Sequence, residues 1–359
     1  MAAQQIGFGI IGAGNIARIH AQAVTALAST PLGRGVKLRA FLAASPTRVG
    51  TLAAEFGADP CTDRAAFFAR PDIQVVSICT PSGTHAELGR AAAAAGKHVI
   101  VEKPIDVTMA AAHSLIEACD RAGVRLGAIF QSRFLPAVAL IKQAIDRGRF
   151  GRLYVVDAYV KWYRAPAYYE AARWRGTKAL DGGGALINQA IHTVDLAQHF
   201  AGPAASVFGY TDRKHHLTIE AEDTALALVQ YRSGAAGVIE ATTSIAPGFA
   251  RRVEIHGELG SVILDGNDIA TWSLAGHDEE EVALDRLRAQ ARDRSDGASD
   301  PTKLDVAGHR QQFEDFVAAI REGRAPVVGG REALGALEIV LAVYRSAQTG
   351  EKVELPQES

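Results

Sequence analysis

The sequence predicts a doubly wound α/β domain followed by a second domain built on an open, mostly antiparallel sheet. Three observations carry this expectation. A chain of 359 residues exceeds what one hydrophobic core usually organises, so two domains are expected. Between Ile6 and Ile129, short runs that are apolar on both faces alternate with helical patterns, as buried parallel strands joined by helical crossovers do. After Arg147 the intervening helices disappear and strands follow one another across short turns, which demands antiparallel pairing. The boundary falls between residues 130 and 131, with the second domain running from 131 to 359.

In chain order, the runs Ile6–Ile11, Val36–Leu42, Val75–Ile78, 99–101 and 126–129 are the parallel strands. Helical patterns at 84–95 and 108–122 each stop at a glycine, Gly96 and Gly123, the residue that best accepts the left-handed geometry past a helix end. An amphipathic stretch at 137–147 leads to strands at 153–162, 206–210, Thr224–Tyr231, 236–243, 251–256 and 261–264, separated by turns such as 232–234 and 258–260. Several of these strands are apolar on at least one face. A sheet face of that kind is seldom left to water, which predicts a homo-oligomer, dimer or tetramer, formed through the open sheet. Residues 278–305 are rich in charge and read as a mobile, solvated helix-plus-loop insertion, before final helices at 310–323 and 331–349.

Hydrophobic residues at 48% and charged residues at 22% exclude a disordered or fibrous chain. A formal charge of -2 offers no basic field for nucleic acid or an anionic membrane, so a small molecule is the expected partner. Cys61, Cys79 and Cys119 are odd in number and form no Cys-x-x-Cys pair, which fits a reducing, cytoplasmic setting. No basic segment precedes an apolar core at the N-terminus, so no signal peptide is expected. The longest apolar run, 91–95, is far short of the ~20 residues that span a bilayer.

The first motif with chemical content is Gly12-Ala13-Gly14-Asn15-Ile16-Ala17, a Gly-x-Gly-x-x-Ala where the first strand turns into a helix. Gly12 permits the turn, Gly14 lets a pyrophosphate approach the backbone at Asn15 and Ile16, and Ala17 allows close packing of helix on strand. Free N–H groups at the helix start suit that phosphate, which makes this a Rossmann dinucleotide fingerprint; the plainer reading is a tight strand-to-helix turn. The second strand ends in Ala43-Ala44-Ser45-Pro46-Thr47-Arg48, with no acid to hold a ribose diol. Ser45, Thr47 and Arg48 could instead hydrogen-bond a 2'-phosphate, which favours NADP(H) and leaves NAD(H) open, unless Arg48 is simply solvated in a first helical turn.

Two further strands end in Cys79-Thr80-Pro81, with His85 after it, and in Glu102-Lys103-Pro104. Ligands of open α/β sheets bind beyond the carboxyl ends of the strands, so both segments are candidates. The alternative for Glu102 and Lys103 is a surface ion pair. In the second half, the glycine run at 182–184 opens a helix carrying Asn188 and His192, four apart on one face, with Asp195 three residues on to orient or cap. A single helical histidine is more often structural than catalytic. No metal constellation is expected, because adjacent His215 and His216 on a strand would point to opposite faces.

Taken together, these motifs resemble the glucose-fructose oxidoreductase / inositol dehydrogenase / MocA family over nearly the whole chain. The resemblance implies a Rossmann domain followed by an open-sheet domain, with the active site between them. It implies that Lys103 reaches the nicotinamide ribose and the reacting hydroxyl, and that His192 exchanges the hydroxyl proton during hydride transfer. Thr80, Pro81, His85, Glu102, Gln131, Trp174 and Arg175 would line the cofactor side, and Arg133, Tyr163 and Asn188 the substrate side. Asn188 departs from the family pattern, in which many members carry aspartate; an amide positions a hydroxyl but cannot take its proton. The substrate implied is a sugar, keto-sugar or cyclitol. The competing readings are a dehydrogenase of a nucleotide-linked sugar or aromatic dihydrodiol, and a nicotinamide-nucleotide sensor without turnover.

Overall fold

A computed structural model of the chain describes residues 5–274 and 306–356, together with 284, 285 and 287. The charged insertion expected at 278–305 lies outside the described residues apart from those three positions. Among the described residues no helix is long and apolar enough to cross a membrane. The chain divides into two compact units, the first running to Gln131 and taking in Val306–Leu334, the second comprising the remainder.

The first unit carries a six-stranded parallel sheet, β1 (Ile6–Ile11), β2 (Val36–Leu42), β3 (Asp59–Cys61), β4 (Val75–Ile78), β5 (His98–Val101) and β6 (Leu126–Ala128), in the order β3-β2-β1-β4-β5-β6. Chain order reverses between β1 and β4, the crevice where such sheets take dinucleotides. Helices α1 (Asn15–Ala28), α2 (Pro46–Phe56), α3 (Arg64–Ala69), α4 (His85–Ala94) and α5 (Met109–Ala122) make the crossovers. β1 is buried at every position, the pattern of a strand covered on both faces.

The sequence division at 130/131 assigned the whole C-terminal region to the second domain, and here the structure differs. Helix Val306–Glu322 drives Phe313, Phe316 and Val317 into the cluster formed by Ile6, Phe8, Val24, Leu27 and Ile100. Phe8 and Phe313 stack with centroids 5.7 Å apart. Fully burying one such side chain is worth about 1.5–3 kcal/mol, so the hydrophobic effect recruits this helix across some 180 residues of chain, a separation no local pattern reports.

The second unit begins with α6 (Pro136–Asp146) and holds β7 (Leu153–Lys161), α7 (Pro166–Glu170), a π-helical turn Ala185–Ala190, α8 (Ile191–Ala201), β8 (Ala204–Asp212), β9 (Thr224–Tyr231), β10 (Ala236–Thr242), β11 (Arg252–Gly257), β12 (Gly260–Asp265), β13 (Asp268–Leu274) and β14 (Val353–Glu354). The eight strands form one open sheet in the order β13-β12-β11-β7-β10-β9-β8-β14. Neighbours joined by short turns pair antiparallel as expected, but β7 inserts between β11 and β10 and runs parallel to β10. Strands β3, β13 and β14 were not recognised in the sequence: two are only two or three residues long, and β13 is polar enough to read as loop.

Along β9, burial alternates with period two. Ala225, Ala227, Val229 and Tyr231 face inward, while Leu226 and Leu228 stand 41% and 61% exposed. They pair across the ladder with Tyr210 and Phe208, which are also exposed, so one face of the sheet presents a continuous apolar patch. His215 and His216 lie in a loop rather than on a strand, their rings 4.7 Å apart, because the backbone N–H groups of Lys214, His215 and His216 all donate to the carboxylate of Asp223.

Candidate functional site

Four of the segments singled out in the sequence emerge at the carboxyl edge of the first unit's sheet. Gly12 follows β1 with φ +128°, and a Cβ placed there would sit 2.5 Å from the carbonyl oxygen of Cys79, so glycine is required by both conformation and space. Gly14 is the N-cap of α1, has open space where a side chain would be, and receives no side-chain cap, which leaves the first-turn N–H groups of Asn15 and Ile16 to an outside acceptor. That geometry fits the pyrophosphate of a dinucleotide. Ser45 caps α2 by accepting the backbone N–H of Arg48, whose side chain is exposed.

The segment after β4 is braced from within. Thr80 and Thr84 share a hydroxyl contact of 2.8 Å, and Thr84 also donates to the carbonyl of Pro81. His85 is buried and sets its two ring nitrogens against the carbonyl oxygens of Pro104 (2.8 Å) and Thr80 (2.9 Å). Burial pushes its pKa below the ordinary histidine value. The sequence reading placed His85 against the cofactor; the structure makes it a clamp joining the ends of β4 and β5.

Glu102 is likewise redirected. Its carboxylate turns into the protein and meets His20 Nε2 of α1 at 2.8 Å, and its other oxygen accepts the backbone N–H of Lys103 at 3.1 Å. It is buried and so is not part of a surface ion pair. Burial opposes a charged carboxylate here, but the histidine outweighs it and holds Glu102 well below the usual range, while Cys79 and Glu102 hold His20 well above its own despite complete burial. His20, Glu102 and His309 together bring one donor atom each within 4.8 Å of one another. The His20–Glu102 contact is at direct hydrogen-bonding distance, so a proton held between the two atoms satisfies both. Lys103 itself is half-buried at the strand end, and Gln131 closes the first unit's N-terminal stretch.

The second unit holds Arg133, Tyr163, Trp174, Arg175, Asn188 and His192. Asn188 stands on the π-helical turn and His192 in the first turn of α8, half-buried. The first four N–H groups of this helical segment are all met from within the unit. Gly184 and Leu186 donate to the two carboxylate oxygens of Glu222, Ala185 donates to the Glu222 carbonyl, and Ile187 donates to the Tyr344 hydroxyl. The sequence reading opened this helix toward a ligand; its N-terminus is instead closed by protein groups, and Gly184 is needed because a Cβ there would lie 1.8 Å from the Glu222 carbonyl oxygen. Burial raises Glu222 to about 7 even with these donors around it.

Asn188 is fixed on both sides. Its amide nitrogen donates to buried Asp181, and its oxygen accepts from Gln189, whose own oxygen takes a guanidinium N–H of Arg164 at 2.7 Å. Arg175 lies over the ring of Tyr168, 4.1 Å from its centroid. Arg133 was expected on the substrate, but it forks onto the carboxylate of Asp195, with contacts of 2.8 and 2.5 Å, and Asp195 is fully buried. That pair ties the start of the second unit to α8 below His192. His20, Asp181, Glu222 and Tyr344 were missed. Only His20 left a trace in sequence, as a polar residue on the otherwise apolar stripe of Ala17, Ala21 and Val24.

Comparison with known proteins agrees with this architecture. Residues 6–130 match a model described as the NAD-binding Rossmann fold of an oxidoreductase family, and residues 142–355 match the C-terminal alpha/beta domain of the same family, GFO_IDH_MocA. The chain is 26% identical to the inositol 2-dehydrogenase of Rhizobium meliloti, over 98% of this chain and 99% of that one. It is 30% identical to the levoglucosan dehydrogenase of Pseudarthrobacter phenanthrenivorans, over 73% and 74%. Among solved structures, the WlbA dehydrogenase of Bordetella pertussis, crystallised with NADH and UDP-GlcNAcA, superposes with a TM-score of 0.89 at 32% identity and covers both chains completely.

Proposed function

The chain belongs to the Gfo/Idh/MocA family and is an NAD-binding oxidoreductase, and on that premise we propose that it moves a hydride between the nicotinamide and a carbinol or carbonyl carbon of a sugar, keto-sugar or cyclitol. The observation that carries this reading is Lys103, half-buried at the carboxyl end of a parallel strand, on the sheet edge where the Gly12–Gly14 turn also opens. A bound nicotinamide supplies the hydride acceptor or donor. The Lys103 ammonium stabilises alkoxide charge on the reacting oxygen, and His192 takes or returns the hydroxyl proton. Asn188, held by Asp181 and Gln189, orients a hydroxyl and leaves the proton to His192. Tyr163 suits the apolar face of a sugar ring, and Trp174 and Arg175 belong to the cofactor side.

The end-to-end match with WlbA favours a second reading, a nucleotide-linked sugar as substrate. For the cofactor, the absence of a carboxylate from Ala43 to Arg48 favours NADP(H) through Ser45, Thr47 and Arg48, although the WlbA complex contains NADH. The exposed ladder of Phe208, Tyr210, Leu226 and Leu228 suits a second copy of the chain, and the three free cysteines suit a reducing cytoplasm.

The test is a screen of free sugars, cyclitols and UDP-sugars by reduced-nicotinamide absorbance, run on the wild type and on Lys103→Ala. The variant should lose turnover by about 10³-fold while keeping NADH fluorescence binding. Retained turnover removes Lys103 from the mechanism. Nicotinamide binding without turnover on any substrate class would support the sensor alternative.

A further inference from the structure

We propose that Glu102 is a positioning residue for Lys103, with His20 as its anchor, so that the phosphate-binding helix and the lysine are tied together by one buried chain of contacts. The inference rests on the reading that Lys103 acts in turnover. His20 lies on α1, five residues past Asn15 at the open helix start, and its side chain has no exposure. Nδ1 of His20 lies 2.7 Å from Ser77 Oγ and 3.2 Å from Cys79 Sγ at the end of β4, while Nε2 lies 2.8 Å from Glu102 Oε1 at the end of β5. The ring of Phe313 packs edge-on against His20 at 5.2 Å and seals the cluster on that side. Glu102 Oε2 then accepts the backbone N–H of Lys103 at 3.1 Å.

A carboxylate this deep needs a cation and filled lone pairs to remain where it is, and it finds both. His20 supplies charge and a direct contact to one oxygen, and the second oxygen takes the lysine amide. His309 Nε2 stands 3.9 Å from the same Oε1 and adds to the field. A lysine side chain has four rotatable bonds of its own, so where its ammonium arrives depends on how firmly its Cα is held. The Glu102 contact fixes the amide at that Cα and refers it to the helix whose first turn faces the dinucleotide. A misplacement of about 1 Å at such a group costs about 100-fold in rate.

The test compares four forms of the enzyme, Glu102→Ala, Glu102→Gln, Lys103→Ala and the Glu102→Ala/Lys103→Ala double variant. Each is measured for kcat, KM, NADH affinity by fluorescence and thermal midpoint. Glu102→Ala should lower kcat by about 100-fold with NADH affinity changed by less than about threefold. Glu102→Gln should recover most of that loss, to within about tenfold of wild type, because its amide oxygen still accepts the Lys103 N–H and its amide nitrogen donates to a neutral His20. The double variant should be no slower than Lys103→Ala alone, since a residue that acts through the lysine has nothing to add once it is gone.

If Glu102→Ala does not fold, His20→Asn carries the same comparison, because its amide replaces Nδ1 toward Ser77 but does not reach Glu102. Additive losses in the double variant, or a loss of NADH affinity in step with kcat, would overturn the positioning role. Wild-type turnover in Lys103→Ala would instead bring down the reading of the lysine itself, and the inference with it.

Discussion

The two units each bury a glutamate that caps backbone N–H groups near a residue implicated in turnover, and they treat it in opposite ways. In the first, Glu102 faces His20 and is held well below the ordinary carboxylate range. In the second, Glu222 receives the N–H groups of Gly184 and Leu186 and the Tyr344 hydroxyl, all neutral, and burial raises it to about 7. Both have filled acceptors. What separates them is the balance against burial: at Glu102 the contact and charge of His20 outweigh it, whereas the neutral donors around Glu222 do not, and at Asp195 even the forked Arg133 leaves burial ahead, so that carboxyl stays above its usual range. The first pair therefore stays charged through the neutral range, from about 2 for Glu102 to about 10 for His20, while Glu222 titrates within that range.

The largest expected effect probes a buried ion pair of the second unit, Arg133 with Asp195. Arg133→Met leaves the carboxylate of Asp195 fully buried with its forked partner removed, and should cost about 3–5 kcal/mol by urea unfolding. Replacing Asp195 by Asn in the same chain should recover part of that cost. A loss below about 1 kcal/mol would mean that a charged partner matters little in this unit, and the contrast with Glu102 would fail.

Next comes the pH dependence of Glu222. Below pH ~4.5 the acid is protonated in the native and unfolded chain alike and contributes nothing. As pH rises from ~4.5 to about 7, the unfolded chain releases its proton first, so stability falls by about 3 kcal/mol, and above that the penalty is level. Glu102 runs the other way, its contribution complete above pH ~4.5 and lost as pH falls through its depressed value. Glu222→Gln should abolish the fall between pH 5 and 8, so that the variant gains on the wild type as pH rises. Parallel wild-type and variant profiles would refute the assignment.

The smallest effect concerns a charge that is not buried at all. Arg48→Ala, at the same sheet edge as Glu102, should leave stability within about 0.5 kcal/mol and lower NADPH affinity about tenfold with NADH affinity unchanged. Equal loss for both cofactors would remove Arg48 from 2'-phosphate recognition.

The parallel strands were legible because each is a local run of residues apolar on both faces, and β1, β2, β4, β5 and β6 appear within a residue of their expected ends. The glycine turn was legible because Gly12 and Gly14 must adjoin in sequence to form it. The parallel pairing of β7 with β10 was not, because register between strands some 80 residues apart is a property of the sheet and not of either strand. The same limit governed the site.

From the sequence alone came the two-domain order, the longer strands and the glycine turn after β1, since each depends on neighbours within a few residues. Tertiary structure alone decided which way Glu102, His85 and Arg133 face, and it brought in His20, Glu222 and Tyr344. A buried charge or polar group takes whichever partner folding delivers within about 3 Å, and sequence distance places no bound on which residue that is.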